Sequence, residues 1–151
     1  MTRAERRESQ RRLRWGALLL MATLVACLGF AWDVSWHADV GPDTFFSPPH
    51  SLMYSGVAAG GFICLWMLVR TTLAFRRGSP GVTASNTTPW LASRAPLGFV
   101  VAGLGSLAFL GGGLFDLWWH SLYGFDVTEV SPPHFFIALP GTRDPPVSSR
   151  R

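Results

Sequence analysis

The sequence predicts an all-α membrane protein of tandem transmembrane helical hairpins, with three full spans and an incomplete fourth. Three observations lead there. Uncharged apolar runs at residues 15–32, 51–69 and 95–115 are each about as long as a helix needs to cross a ~30 Å hydrocarbon core. Arginines gather at alternate ends of these runs. A phrase of the form Asp-x-x-x-His, followed by Ser-Pro-Pro-His, stands twice where one apolar run ends and the next begins.

Composition agrees with the lipid setting. Hydrophobic residues make up 48% and charged residues 15% of the chain, and the mean hydropathy is +0.25. Backbone inside lipid must satisfy its own hydrogen bonds, so apolar runs of this length read as helices rather than strands.

Residues 1–14 form a polar lead containing Arg3, Arg6, Arg7, Arg11, Arg12 and Arg14. With the apolar run behind it, this lead could imitate a signal peptide, and Leu24-Val-Ala-Cys27 imitates a lipoprotein cleavage box. The run continues past Cys27 to Trp32, which favours a retained span. Residues 15–75 read as the first helical hairpin, its second helix opening at Ser47-Pro48-Pro49. Serine can cap a helix there, and proline tolerates the first turn because its missing N–H would have had no partner. Gly56-x-x-x-Gly60 supplies a small face for close helix approach. Residues 76–95 read as an ordinary polar linker, 96–140 as a second, incomplete hairpin, and 141–151 as a tail. After His134 only five apolar residues precede Pro140, too few to span, so a truncated end or completion by a partner is expected.

Arginine placement gives an orientation. The lead and the 76–95 linker hold Arg76, Arg77 and Arg94 beside the six above, while the two Asp/His loops hold aspartates and a glutamate but no arginine. The positive-inside rule then places the N-terminus in the cytoplasm and both histidine motifs on the outer side of the cell membrane. The net charge of +4 is therefore topological, and no nucleic-acid partner is expected. Cys27 and Cys64 each fall within an apolar run, which suits packing rather than a disulfide, with soft metal ligation the alternative.

All four histidines lie in the repeated phrase. Aligning Asp33 with Asp116 also aligns Gly29 with Gly112, Trp36 with Trp119, His37 with His120 and Asp43 with Asp126. One inserted residue then brings His134 onto His50. An internal repeat of helix, outer loop and helix follows. Asp33 and His37 are one helical turn apart on one face, and His50 opens the neighbouring helix. Two imidazoles and a carboxylate with open positions suit copper, iron or zinc. The candidate metal ligands are Asp33, His37 and His50, with Asp116, His120 and His134 as a possible second set. Asp43 and Asp126 could orient the ligating histidines. Interfacial helix capping, or a proton or ion relay, would use the same residue types.

The stretch Asp33-x-x-Trp36-His37, followed by Asp43-Thr44-x-Phe46-Ser47-Pro48-x-His50 and Tyr54, resembles the intramembrane metal motif of the particulate methane and ammonia monooxygenases, the copper membrane monooxygenase family. That resemblance covers about twenty-five residues. It implies copper ligation by Asp33, His37 and His50 and work in complex with other membrane subunits, a homo-oligomer being the alternative. If the chain belongs to an enzyme, the resemblance implies activation of dioxygen for attack on a small apolar substrate. A non-catalytic metal-binding or delivery protein, and a small transporter or relay, stand beside that reading. The second copy has one extra residue before its last histidine, so the first is the preferred site.

Overall fold

The computed structural model describes residues 2–40 and 45–124. The chain divides into two compact units, Met1–Gly111 and Gly112–Arg151. In chain order the elements are α1 (Arg3–Asp39), α2 (Pro48–Arg76), a single 3-10 turn at Ala84–Asn86, strands β1 (Thr88–Trp90) and β2 (Ser93–Ala95), and α3 (Leu97–Tyr123). All three α-helices are long and apolar enough to cross a membrane. The expected fourth span, and the tail beyond it, lie outside the described residues.

The first helix starts well before its apolar run. Thr2 caps it: its hydroxyl accepts from the Glu5 N–H at 3.2 Å, and the Glu5 carboxylate accepts from the Thr2 N–H at 2.7 Å. This reciprocal box satisfies two of the donors that a helix start leaves open. The arginine-rich lead is thus helical from Arg3. At 37 residues α1 runs for about 55 Å, well beyond a hydrocarbon core.

Ser47 occupies the cap position of α2, with Pro48 and Pro49 in the first turn as the sequence suggests. Its side chain, however, makes no capping bond. Two prolines remove two N–H groups that would otherwise need a partner, so little is left for the hydroxyl to satisfy. At the other end Gly78 adopts a left-handed conformation (φ 63°) and donates to the Phe75 carbonyl at 3.0 Å, closing the helix as glycine commonly does.

Helices α1 and α2 run antiparallel, their contacts passing from Glu8–Arg70 at one end, through Ala22–Gly56, to Asp33–His50 at the other. Two glycines let the backbones touch. A Cβ on Gly29 would overlap the Met53 backbone nitrogen, and one on Gly56 would lie 2.8 Å from the Ala22 carbonyl oxygen. Gly60, the second member of the small-residue face, sits against Leu19 and Ala22. On the other side of α2, the first part of α3 packs by Gly103 against Cys64 and by Ser106 against Gly61. Met67, Cys64 and Phe99 form the buried core there, flanked by Trp15, Leu19 and Ile63. Many large side chains of the helices remain exposed, including Leu18, Leu24, Leu28, Phe62 and Leu107. Apolar surface on this scale belongs in lipid.

The arginine-rich end is ordered more tightly than a polar linker requires. Glu8 is buried and faces three guanidinium groups, Arg70 at 3.0 Å, Arg12 at 3.3 Å and Arg11 at 3.6 Å. Arg12 also donates to the carbonyl and side-chain oxygens of Asn86 at 2.9 and 3.1 Å, tying α1 to the linker. Strands β1 and β2 pair antiparallel, Thr88 with Ala95 and Trp90 with Ser93. The buried Thr72 hydroxyl holds this hairpin to α2, accepting from the Arg94 N–H at 2.9 Å.

The close approach of α1 and α2 predicts opposite outcomes at two glycines. Gly56→Leu should destabilise the hairpin by about 1–3 kcal/mol, because the helices must part to admit the side chain. Gly16→Ala, with nothing within 4 Å of the added carbon, should stay within about 0.5 kcal/mol of the parent. Denaturant-titrated helix unfolding in micelles, followed by circular dichroism, measures both.

Candidate metal centre

The end of the hairpin opposite the arginines gathers the first Asp/His/His set. In the last turns of α1 the four-residue spacing stacks Asp33 and His37 on one face. The double proline starts α2 so that His50 falls in its first turn. The result is one group, Asp33, His37 and His50, whose candidate ligand atoms all lie within 4.8 Å of one another. Among the described residues no other set of three histidine, cysteine or carboxylate side chains meets that test.

Asp33 is the hinge of the cluster. Its Oδ1 lies 3.1 Å from His50 Nε2 and 3.6 Å from His37 Nδ1. That oxygen is buried, yet no hydrogen bond is directed at it among the described residues. A carboxylate oxygen beside two imidazoles without an aligned donor is an electrostatic deficit that a cation would fill. His37 is fixed from behind: its Nδ1 lies 2.9 Å from the Asp33 backbone carbonyl. With Nδ1–H donating to that carbonyl, Nε2 is the ring atom able to ligate, the arrangement commonly found behind metal-bound histidines. The residues present therefore fit a transition-metal ion.

Aromatic rings hold His50 in place. Phe45 stacks on Tyr54 with ring centroids 5.0 Å apart, and the His50 ring lies 6.4 Å from Phe45 and 6.1 Å from Tyr54. Tyr54 in turn meets Phe109 of α3 at 5.9 Å. The His37 and His50 rings are 5.7 Å apart. Exposure is graded across the set: the Asp33 side chain is 14% exposed, His50 19% and His37 44%, so access is from the His37 side. Phe45 stands outside the sequence motifs; its signal is an aromatic pair set just before the two prolines.

In the second unit Asp116 and His120 also face one another, with His120 Nε2 3.4 Å from Asp116 Oδ1 and His120 Nδ1 2.9 Å from the Gly124 carbonyl. Asp116 Oδ1 is again buried without a hydrogen-bond partner among the described residues. The candidate third ligand, His134, and the two candidate orienting residues, Asp43 and Asp126, lie outside the described residues. Cys64 is buried and Cys27 exposed; both are free thiols, and neither belongs to the Asp/His/His group.

Compared with known protein families, characterised proteins and solved structures, the chain matched none. The fold and the cluster together describe a helical membrane protein with an ionisable group where its first two spans join.

The cluster geometry predicts an order of histidine reactivity. Diethyl pyrocarbonate should modify His37 faster than His50, as their exposures dictate. In Asp33→Ala the His50 rate should rise severalfold, because the ring loses the carboxylate that holds it. Peptide mapping by mass spectrometry reads both rates.

Proposed function

We propose that this protein is a metal-binding membrane protein related to the metal-binding membrane component of the copper membrane monooxygenases. Asp33, His37 and His50 would hold one ion, copper in first place, with zinc and iron as alternatives. The observation that carries this reading is Asp33 Oδ1, buried and without a directed hydrogen bond among the described residues, 3.1 Å from His50 Nε2 and beside the His37 ring. Two nitrogen donors and one oxygen donor suit copper(II) above other divalent first-row ions, as affinity rises to copper along that series. The Asp/His spacing and flanking Trp36, Phe46, Pro48 and Tyr54 support the resemblance to that family.

In this reading each residue has a distinct task. Asp33 contributes charge, His50 is a ligand braced by Phe45 and Tyr54, and His37 is a ligand whose ring is aimed by the Asp33 carbonyl. Bound copper supplies one-electron exchange with dioxygen. The arginine distribution supports an outward-facing site, and partners that complete the bundle would come from other membrane subunits or from further copies of the chain. Asp116 and His120 form the remnant or the first half of a second site in the proposed repeat.

A specific observation favours metal delivery as the second reading. His37 is nearly half exposed, so an ion held there is open to ligand exchange from outside the helices.

Metal analysis of the purified full chain tests the proposal. Wild type reconstituted with copper is expected to retain about one ion from this set, and His37→Ala and His50→Ala each to weaken binding by at least an order of magnitude. Wild type without stoichiometric metal, or both variants retaining it, would overturn the metal reading in favour of a relay.

A further inference from the structure

At the opposite end of the hairpin lies a cleft of about 330 Å³, bounded by α1, the C-terminal half of α2 and the turn at residues 79–82. Its wall along α2 is one helical stripe: Trp66, Arg70, Leu73 and Arg77 recur at spacings of four, three and four. The stripe alternates apolar and cationic side chains and ends on a cation. Trp66 is 51% and Leu73 43% exposed, so both are open to lipid. Arg77 closes the stripe at the end of α2, and Arg11 of α1 also lines the cleft.

The charges are unevenly committed. Glu8, at the base, is 7% exposed and is covered by Arg12 and Arg70, which leaves its carboxylate compensated. Arg11 is 51% exposed and only loosely paired with Glu8, at 3.6 Å. Arg77 is exposed, and its guanidinium has no hydrogen bond or ion pair among the described residues. Two available guanidinium groups thus stand above an apolar wall. Guanidinium matches phosphate oxygens with paired N–H donors, and basic pockets between spans are where anionic headgroups dock.

We propose that this cleft binds one anionic phospholipid, its phosphodiester between Arg11 and Arg77 and its acyl chains along Trp66 and Leu73. The phosphate gives affinity and the apolar wall distinguishes a lipid from a soluble phosphate ester. The site is independent of the metal centre, since it uses none of the same residues.

Native mass spectrometry of the detergent-purified full chain, incubated with equal amounts of phosphatidylglycerol and phosphatidylcholine, tests it. Wild type should retain one phosphatidylglycerol in preference, and glycerol 3-phosphate at the same concentration should not displace it. Arg11→Gln/Arg77→Gln should lower retention by roughly an order of magnitude. Arg6→Gln/Arg7→Gln removes the same charge from exposed positions outside the cleft and should leave retention within twofold. Equal retention of the two lipids, or an equal loss in both double variants, overturns the site. Displacement by glycerol 3-phosphate overturns the lipid and leaves a soluble phosphate ester as the ligand.

Discussion

Helices in lipid gain nothing by hiding apolar side chains from one another, because the acyl chains are equally apolar. They associate where backbones approach closely enough for dense van der Waals contact. In this chain that contact is made at Gly29 against Met53 and at Gly56 against Ala22 and Ala26, where not even a Cβ would fit. The spacing it imposes carries to both ends of the hairpin. One turn beyond Gly29 stands Asp33, and one turn before Met53 stands His50, so backbone contact brings the carboxylate and imidazole to 3.1 Å. Wider separation of the helices would take the cluster apart without touching any of its residues.

The hairpin is tied by ionisable groups at both ends, and the two ties differ in kind. At the arginine-rich end Glu8 is surrounded by guanidinium groups, a closed arrangement in which a buried anion is compensated several times over. A carboxylate taken out of water is costly unless compensated in this way. At the other end Asp33 meets two imidazoles, and its Oδ1 has no directed hydrogen bond among the described residues. The first cluster holds the helices together, its buried carboxylate fully compensated. The second reads as a site because, within the chain described, no donor is directed at its buried carboxylate oxygen.

Much of this is legible in the sequence. The three helices follow from uncharged runs, and the pairing of Asp33 with His37 from a spacing of four. The approach of His50 follows from a serine and two prolines that fix where α2 begins. The small face at Gly56 and Gly60 is a surface of close helix approach, as the sequence implies, and the structure adds that it meets α1. The arginine-rich end is harder. Thr2-x-x-Glu5 is a capping box that marks a helix start, but the arginines around it signal topology more loudly than structure. The burial of Glu8 depends on Arg70, sixty-two residues away, and the strand pair at 88–95 depends on Thr72 receiving it. No local pattern announces either. Phe45 illustrates the same limit at the site, since a single ring becomes meaningful only when Tyr54 lies beneath it.

The α1–α2 junction also shapes the field inside the cluster. His37 belongs to the last turn of α1 and His50 to the first turn of α2. A helix carries partial negative charge at its C-terminal end and partial positive charge at its N-terminal end. The two imidazoles are thus approached by opposite poles, whose contributions oppose one another. Pro48 and Pro49 weaken the positive pole further by lacking N–H groups to point outward. Among the described residues, the carboxylate of Asp33 adds its negative charge to a backbone field in which the positive pole is the weaker.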